Sequence, residues 1–534
     1  MLQSDSPPIK PKIVNPLSDE FDISRRSVST KELPDKFTSP PLMEGLLESI
    51  HGVLGPDARP TPIQALSLKH LFNEPQPSRY HEHLLASETG SGKSIAYLLP
   101  MLHDLKQSEL NNTQRADPDA PRRAVNPRAI VLAPTHELTR QLSGFAKELL
   151  HHVKLRVLCA SRANTASRKN VSAAKMADVL VEGSDGELEV SSEFMMRADQ
   201  IHPVDIVVGT PAKILELMRG RGWDHEAEEV LDKRPRRKVT VGEPQMGLGR
   251  VEWVVVDEAD VLFVDPDFQE ATRSILAEVS NARGHPVPFD PNLDLSTKGQ
   301  PTPISYPFNF VLTSATIPSS LAAFLDKFHP SLTRLASPNL HKLPSSLKTE
   351  HFSWTGGNRD ADIEHRLRRV WYEDMEKTGT KSKVLVFCNK SARVENLGAY
   401  LREKGIANVA LTSAGDARKR GSNHHLDGLL RVRSDSASAP AATPATGAGS
   451  MDDLKEVPHV MITTSLLSRG LDFSPDVKHV FIVDEPRNMV DFLHRAGRSG
   501  RAGESGKVVV FGKSKGRGSE KARVVRKKVG ALAA

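Results

Sequence analysis

The chain has 534 residues, 38% of them hydrophobic and 26% charged, and its formal net charge is +6. This length is too great for one hydrophobic core, so we expect two large domains with extensions. No apolar stretch is long enough to span a bilayer, and the small positive charge permits an anionic partner without identifying one.

The first segment, residues 1–34, is predicted to be a disordered leader. It is polar, contains prolines, and mixes Lys10, Lys12, Arg25 and Arg26 with several acids. A secretory signal needs an apolar core, whereas a mitochondrial presequence is rich in arginine and poor in acids. The segment has neither property, so by itself it predicts no subcellular location.

The most informative motif spans residues 87–94, between a short apolar strand and an apolar helical run. Its glycines allow several backbone N–H groups to face one phosphate, and Lys93 adds a positive charge. The hydroxyl of Ser94 is placed to bind Mg²⁺, and the next helix would aim its N-terminus at the phosphates. The alternative is a glycine-serine turn beside a lysine, and Ser87 stands where glycine is usual. We predict a polyphosphate site formed by Ser87, Glu88, Thr89, Gly90, Ser91, Gly92, Lys93 and Ser94.

Short apolar runs recur along the chain, and each is followed by a polar or helical stretch. Continuous apolar strands that alternate with helices predict parallel sheets covered on both faces, with chemistry at the carboxyl ends of the strands. The runs are 129–132, 205–208, 253–256, 310–312, 384–387, 409–411, 459–462, 479–483 and 508–511.

A gap between the two series of strands contains prolines and glycines and predicts a domain boundary. We place the first domain at residues 35–340, the linker at 341–358 and the second domain at 359–515. The lysine- and arginine-rich residues 516–534 are predicted to form a basic tail, either solvated or bound to a nucleic acid. Four stretches look like loop insertions, namely 163–202, 219–249, 281–306 and 431–458.

The cysteines and histidines predict neither a disulfide framework nor a zinc site. Cys159 and Cys388 are far apart in the sequence and lack metal-ligand spacing, which favours a reducing compartment. Three histidine pairs lack third and fourth ligands at suitable spacing: His81 and His83, His151 and His152, and His424 and His425.

The strand at 253–256 ends in the acidic run Asp257-Glu258-Ala259-Asp260. A phosphate-binding loop also needs an acid that holds the metal and a group that activates water. Asp257 is placed to hold Mg²⁺, partly through water, and Glu258 to orient or deprotonate the attacking water. Clustered surface carboxylates are common, so the phosphate loop upstream gives this motif its weight.

With these two motifs, the chain resembles the DEAD-box RNA helicases over roughly residues 37–512. This resemblance implies two tandem RecA-like α/β domains of the P-loop NTPase type and an ATP-hydrolysing enzyme that uses Mg²⁺. Residues 60–64 resemble the family's Q motif, in which Gln64 would read the adenine edge, and Phe37 resembles the aromatic residue that stacks on the base. An amide matches one donor and one acceptor of adenine, which favours ATP over other nucleotides.

Other motifs carry the same resemblance. Residues 494–501 resemble the arginine-rich motif, in which Arg498 and Arg501 act as arginine fingers worth roughly 10³–10⁵ in rate. Asp472 would contact the ribose. The implied catalytic set is thus Lys93, Asp257, Glu258, Arg498 and Arg501, and the residues implied to couple hydrolysis to domain movement are Asp260, Ser314, Thr316 and His494.

The resemblance also implies an RNA track that contacts phosphate and sugar rather than bases, with little preference for sequence. His136 and Lys213 stand where the family has arginine, which predicts a softer grip on phosphate. Ser465 stands where the family commonly has an acid. The implied RNA-binding residues are Pro134, Thr135, Glu137, Thr210, Pro211, Lys213, Asn389, Thr464 and Gly470.

Together these motifs predict a helicase that closes on RNA with ATP, locally remodels it, and releases it on hydrolysis. Residues 464–473 and 492–497 most resemble a fungal mitochondrial branch linked to RNA metabolism and large ribosomal subunit assembly. That resemblance implies a mitochondrial location, with mitochondrial ribosomal RNA and assembly factors as partners. Two alternatives stay open: an ATP-gated RNA scaffold with little unwinding, and a DNA-directed motor.

Overall fold

The chain forms two parallel-sheet α/β domains in a computed structural model. The predicted leader (apart from residues 33 and 34) and the basic tail lie outside the residues that the structure describes. Most of the predicted insertions at 163–202 and 431–458 also lie outside them. The described residues are 33–72, 80–111, 125–161, 204–223, 242–287, 302–338, 340, 343, 346–412, 423, 426, 428–431, 458–500 and 505–513.

The first domain is built on a seven-stranded sheet in which every pair of neighbours is parallel. Its strand order is β3-β4-β2-β5-β6-β1-β7. The strands are β1 Glu82–Ala86, β2 Ala129–Leu132, β3 Val157–Ala160, β4 Ile206–Gly209, β5 Trp253–Val256, β6 Asn309–Ser314 and β7 Thr333–Ala336.

Two apolar clusters cover the two faces of this sheet. Side chains of a strand alternate between faces, so Val255 joins one cluster while Val254 and Val256 join the other. Burial on both faces explains why these strands read as uninterrupted apolar runs. The covering helices are α1 Glu44–Leu54, α2 Pro62–Leu71, α3 Lys93–Asn111, α4 His136–Leu149, α5 Pro211–Arg219, α6 Ala259–Leu262, α7 Pro266–Ala282 and α8 Ser319–Phe328.

The second domain repeats the plan with a six-stranded parallel sheet, in the order β10-β11-β9-β12-β13-β8. Apolar clusters again form on both faces. The strands are β8 Leu347–Ser353, β9 Lys383–Phe387, β10 Asn408–Ala410, β11 Val460–Thr463, β12 Val477–Ile482 and β13 Gly506–Gly512, and the helices are α9 Arg359–Thr378, α10 Ser391–Glu403 and α11 Met489–Ala496.

The prediction of a linker over residues 341–358 is wrong from residue 347 onward. Strand β8 lies within it and pairs in parallel with β13 along its whole length. Only Leu347 of this edge strand is buried, so β8 has no apolar run that would mark it as a strand. The second domain therefore begins near residue 347. The short strands β3 and β7 were also not predicted from the sequence.

The topology brings the predicted motifs together at the carboxyl ends of the strands of the first sheet. Strand β6 lies between β1 and β5, so the phosphate loop after β1 and the acids after β5 flank the end of β6. Among the described residues, no helix is both long and apolar enough to cross a membrane. No group of three or more histidine, cysteine or acidic side chains in that part of the chain is arranged to hold a metal ion.

Candidate active site

The phosphate loop turns sharply at Gly90 and Gly92, whose φ angles are 79° and 84°. Such positive angles strain any residue with a Cβ, so glycine is needed at both positions. Lys93 begins helix α3 and is buried, and its Nζ donates to the carbonyl oxygens of Ser87 (2.8 Å) and Glu88 (2.9 Å). Burial lowers the pKa of this ammonium, while the carboxylates of Glu258 and Asp257 oppose the shift. The loop therefore holds a cation at its centre.

Ser87 fits the position where glycine is usual because its hydroxyl is used within the loop. The residue is fully buried, and the hydroxyl bonds to Ser91 Oγ and, at 3.3 Å, to the Glu88 carboxylate. Its backbone N–H donates to the carbonyl of Ser314 at the end of β6, at 3.1 Å. This serine thus braces the loop against the sheet.

Gln64 connects the loop to helix α2. Its side-chain oxygen accepts from the N–H of Thr61 at 2.9 Å, and its Nε2 donates to the carbonyl of Gly92 at 3.2 Å. A Cβ at Gly92 would clash with that amide. Phe37 is 2% exposed and belongs to the core of the first domain. Reading the adenine edge with Gln64 and stacking Phe37 on the base stay predictions; stacking would require the packing of Phe37 to open.

Asp257 lies at the end of β5 in a dense set of donors. Its Oδ1 accepts from the hydroxyl of Thr313 and, at 3.0 Å, from the N–H of Glu258, while Tyr97 donates to Oδ2 at 3.4 Å. Burial and the neighbouring Glu258 charge raise the pKa of Asp257 to about 6, against the donation from Thr313 and the charge of Lys93. Two buried carboxylates side by side form an environment that a divalent cation would neutralise.

Glu258 has a left-handed backbone, with φ of 54°, and no other described residue except glycine has a positive φ. Its carboxylate is buried, and Oε2 has no hydrogen-bond partner; Arg469 Nη1 lies 4.0 Å away. A non-glycine residue in this region costs free energy that the surroundings must offset. The turn therefore holds a carboxylate with free acceptor capacity next to Asp257, as a water-orienting group requires.

Asp260 joins the two domains. It accepts from Ser314 (3.0 Å) and Thr316 (3.2 Å) of its own domain, and from Arg469 Nη1 (2.6 Å) of the second domain. His494 Nε2 lies 3.2 Å from the same carboxylate and 3.1 Å from Thr316 Oγ1. Burial would raise the pKa of Asp260, but Arg469 and His494 hold it well below its usual range. The structure thus brings the four predicted coupling residues together and adds Arg469.

The arginine-rich segment faces the phosphate loop across the cleft between the domains. Arg498 is buried, its Nε donates to the carbonyl of His494 at 3.1 Å, and it lines a recess together with Gly90 and Asp472. The hydroxyl of Thr89 donates to the carbonyl of Gly497 at 3.0 Å, directly across the domains. Arg501, the second predicted finger, lies outside the described residues.

The predicted RNA residues of the first domain cap helices α4 and α5 at the ends of β2 and β4. Thr135, after Pro134, caps α4 by accepting from the N–H of Leu138 at 3.3 Å, and Glu137 is fully buried. Pro211 begins α5, and the buried hydroxyl of Thr210 before it has no hydrogen-bond partner. Lys213 pairs with Glu216.

The predicted RNA residues of the second domain border the same cleft. The side chain of Asn389 donates to the carbonyl of Glu485 at 2.9 Å and accepts from Arg495 at 2.6 Å, so its amide is engaged within the domain. Gly470 has φ of 67°, and a Cβ there would clash with Leu138 of the first domain. Thr464 follows the end of β11. RNA contact by these residues stays a prediction.

Sequence reasoning missed five residues in the site and at the interface between the domains. Arg469 lies within residues 464–473, and Thr313 directly precedes Ser314, but neither was assigned a role. Tyr97 looked like a core residue of α3. Gln141 accepts from the N–H of Asp472 at 3.0 Å, and Asn423 donates to the carbonyl of Glu137 at 3.1 Å. No local pattern marks such contacts, because the partners are far apart in the sequence.

Comparisons with known proteins agree with this geometry. The profile of the DEAD/DEAH box helicase family matches residues 61–185 and 184–324, and the helicase conserved C-terminal domain matches residues 445–503. The mitochondrial ATP-dependent RNA helicase MRH4 of Cryptococcus neoformans is 35% identical over 90% of this chain and 84% of its own. The DEAD-box ATP-dependent RNA helicase 39 of Arabidopsis thaliana is 28% identical over 95% of this chain and 63% of its own.

Two solved structures share the fold. S. cerevisiae Dbp5 bound to RNA and ADP BeF3 superposes with a TM-score of 0.57 at 19% identity, covering 93% of this chain and 94% of its own. Mss116p bound to ssRNA and AMP-PNP superposes with a TM-score of 0.60 at 15% identity, covering 95% and 80%. The predicted pair of RecA-like domains is therefore confirmed.

The chain belongs to the DEAD-box family of ATP-dependent RNA helicases. Within that family it belongs with the mitochondrial helicases, and it is an ATP-hydrolysing enzyme of mitochondrial RNA metabolism.

Proposed function

We propose that the enzyme works as an ATP-gated clamp on RNA, with the residue roles given below. The observation that carries the proposal is the buried junction of Asp260 with Ser314 and Thr316 from one domain and Arg469 and His494 from the other. This junction adjoins both acids of the hydrolytic site, so closing the domains and completing that site are one event.

On the first domain, Lys93 and the glycine turns of the loop would bind the phosphates of ATP, with Glu88, Thr89 and Ser91 contributing to the cradle. Gln64 adjoins this loop through Gly92 and would read the base. On the second domain, Arg498 would stabilise the γ-phosphate, a task that Arg501 would share, and Asp472 would contact the ribose. The charge of Arg498 is near enough to lower the pKa of Lys93, which supports its place beside the phosphates.

The acids fit a magnesium ion. Asp257 is buried next to Glu258 with a pKa raised to about 6, and a divalent cation would offset that clustering of negative charge. Ser94 and Asp257 would hold the ion, with water completing its shell. Mg²⁺ supplies neutralisation of phosphate charge when bound. Glu258, fixed by its left-handed backbone, would orient the attacking water and accept its proton.

RNA would bind across both domains on the side of Thr135 and Gly470. The unpaired, buried hydroxyl of Thr210 and the helix N-termini at α4 and α5 offer donors to phosphate and to the 2′-hydroxyl. Lys213 is paired with Glu216, so this track carries less free positive charge than an arginine would supply. Hydrolysis removes the γ-phosphate that both domains share, and the clamp then releases RNA.

The biological substrate is proposed from the relatives. The mitochondrial helicases named MRH4 match most of this chain, and we place the enzyme in remodelling of mitochondrial ribosomal RNA during assembly of the large ribosomal subunit. Crosslinking the enzyme to RNA in mitochondria, followed by sequencing, tests this assignment. Reads spread over messenger RNA, with no enrichment of large-subunit ribosomal RNA, would contradict it.

The clamp is tested with Lys93→Ala, Glu258→Gln and the control Glu395→Gln, which changes an exposed residue of the second domain. Lys93→Ala should lose ATP binding. Glu258→Gln should slow RNA-stimulated ATP hydrolysis by about 10²-fold or more while ATP-dependent RNA binding persists. The control should match the parent. Unchanged hydrolysis by Glu258→Gln would refute the assignment, and duplex unwinding measured beside ATPase activity separates a helicase from a scaffold.

A further inference from the structure

A recess opens on the first domain at the amino-terminal ends of strands β1, β6 and β7. The phosphate loop lies at the other, carboxyl-terminal ends of the strands. The lining of the recess includes Tyr80, His81, Glu82, His285, Tyr306 and Thr333. Strand β1 has five residues and separates the recess from the loop by about 16 Å at roughly 3.3 Å per residue. An occupant of the recess would therefore leave the ATP cleft open.

Among the residues that line the recess, Glu82 has a buried polar atom without a partner; close behind the lining, Nε2 of His329 and Nε of Arg273 are also buried without one. The side chain of Glu82 is only 7% exposed, and its Oε2 lies 3.1 Å from Nδ1 of the fully buried His329. Glu82 Oε1 is buried and has no hydrogen-bond partner. Leaving a buried carboxylate oxygen unbonded is costly, more so than for a neutral group. This oxygen therefore has unused capacity to accept a hydrogen bond.

Two arginines lie nearby but do not satisfy Glu82. Arg283 donates to the carbonyl of Pro307 at 2.7 Å and to the hydroxyl of Tyr80 at 2.5 Å, so it is fixed along the rim. Arg273 lies over the ring of Phe324, 4.9 Å from its centroid. No hydrogen bond joins either guanidinium to Glu82 in the described structure.

Aromatic rings form the other walls. Tyr306 is buried and stacks on Phe308 with centroids 4.9 Å apart, and burial together with the Glu82 charge raises the pKa of its phenol. Tyr80 is 41% exposed at the rim. A carboxylate beside electron-rich ring faces repels anions and attracts cations with several N–H donors.

We propose that this recess is a docking pocket for a cationic side chain, lysine or arginine, of a partner protein. Glu82 Oε1 accepts a hydrogen bond from the ammonium or guanidinium, and the tyrosine rings pack on its aliphatic stem. The exposed rim residues Tyr80, His81 and His285 leave the pocket open to a side chain carried by another protein. A partner docked here would be held at the amino-terminal ends of the strands, away from the phosphate loop, while the clamp opens and closes.

The test is calorimetric titration of the full chain with capped tripeptides Gly-Arg-Gly, Gly-Lys-Gly, Gly-citrulline-Gly and Gly-Glu-Gly. We expect saturable binding of the two cationic peptides only, and a loss of at least about tenfold in affinity in Glu82→Gln, which keeps the shape but removes the charge. Glu403→Gln, at an exposed site of the second domain, is the matched control and should bind like the parent.

RNA-stimulated ATPase activity reports whether Glu82→Gln is folded, because Glu82 takes no part in hydrolysis. If that variant does not fold, Tyr80→Ala at the rim replaces it and should weaken cation binding several-fold. Equal binding of the citrulline and arginine peptides, binding by Glu82→Gln as tight as by the parent, or no saturable binding of any cationic peptide would each overturn the proposal.

Discussion

Arg469 of the second domain places Nη1 2.6 Å from the carboxylate of Asp260 in the first domain. The carboxylate is 2% exposed and the guanidinium 14%, so water screens the pair little. The pair spans 209 positions of the sequence and closes the cleft directly beside Glu258. We expect domain closure to act on Glu258 and Asp257 through this contact.

Replacing Arg469 by lysine should therefore slow RNA-stimulated ATP hydrolysis by at least about tenfold. Lysine keeps the charge but is a compact ammonium, which does not reproduce the planar fork of arginine. A lysine ammonium at this position would fit the geometry of the Asp260 carboxylate less well, so we expect weaker closure of the domains. Steady-state ATPase assays check this, with Arg369→Lys as control because that arginine is 71% exposed. Equal rates for parent and Arg469→Lys would remove the pair from the coupling mechanism.

Gly497→Ala should weaken closure because the added methyl would clash with the hydroxyl of Thr89 across the cleft. The backbone of Gly497 has an ordinary φ of −67°, so the clash and not backbone strain is the cause. Removing the Thr89 hydroxyl should relieve this clash. The double variant Thr89→Ala with Gly497→Ala should therefore recover part of the ATP-dependent RNA affinity that Gly497→Ala loses. The measurement is the ATP-dependent affinity for single-stranded RNA. A double variant no better than Gly497→Ala would place the defect elsewhere.

Thr210→Val should lower RNA affinity several-fold without loss of stability. The Thr210 hydroxyl is buried and unpaired, so a methyl of the same shape removes a desolvated polar group. Thr349 of strand β8 provides a matched control, because its hydroxyl is also buried and unpaired but lies at the edge of the second domain. Thr349→Val should match the parent in RNA binding and be at least as stable. If both variants bound RNA equally well, Thr210 would have no place in the RNA track.

His83 should make the first domain sensitive to acid. Burial, with a smaller effect of neighbouring histidines, lowers the pKa of His83 from 6.5 to about 4. Between these values the unfolded chain binds a proton that the folded chain does not. The contribution of His83 to stability is therefore complete above pH 6.5 and falls by about 3 kcal/mol as the pH drops to 4.

Melting temperatures of the parent and His83→Gln at several pH values between 4.5 and 7.5 check this. The parent should lose stability more steeply than the variant as the pH falls. His152→Gln, at a side chain that is 45% exposed, should follow the parent. Parallel curves for the parent and His83→Gln would show that the buried ring does not resist protonation.

The sequence by itself determined the fold class and most of the strands, and it predicted the residues of the nucleotide site. Local rules suffice for these features. Strands buried on both faces must be apolar throughout, and a phosphate loop must place glycines and a lysine at fixed spacing, so each pattern is contained within about ten residues. The same rules failed at β8, because an edge strand needs no apolar run, and the linker was therefore drawn too long.

Only the tertiary structure decided which residues join the domains. The contacts of Asp260 with Arg469, of Gln141 with the N–H of Asp472, and of Thr89 with the carbonyl of Gly497 each link positions more than 200 residues apart. Such pairs leave no periodicity or spacing in a single sequence, because their proximity follows from how two independently folded sheets meet. For the same reason, the sequence could not show that Glu82 Oε1 has no hydrogen-bond partner. Whether a buried oxygen finds a partner depends on all the residues that pack around it.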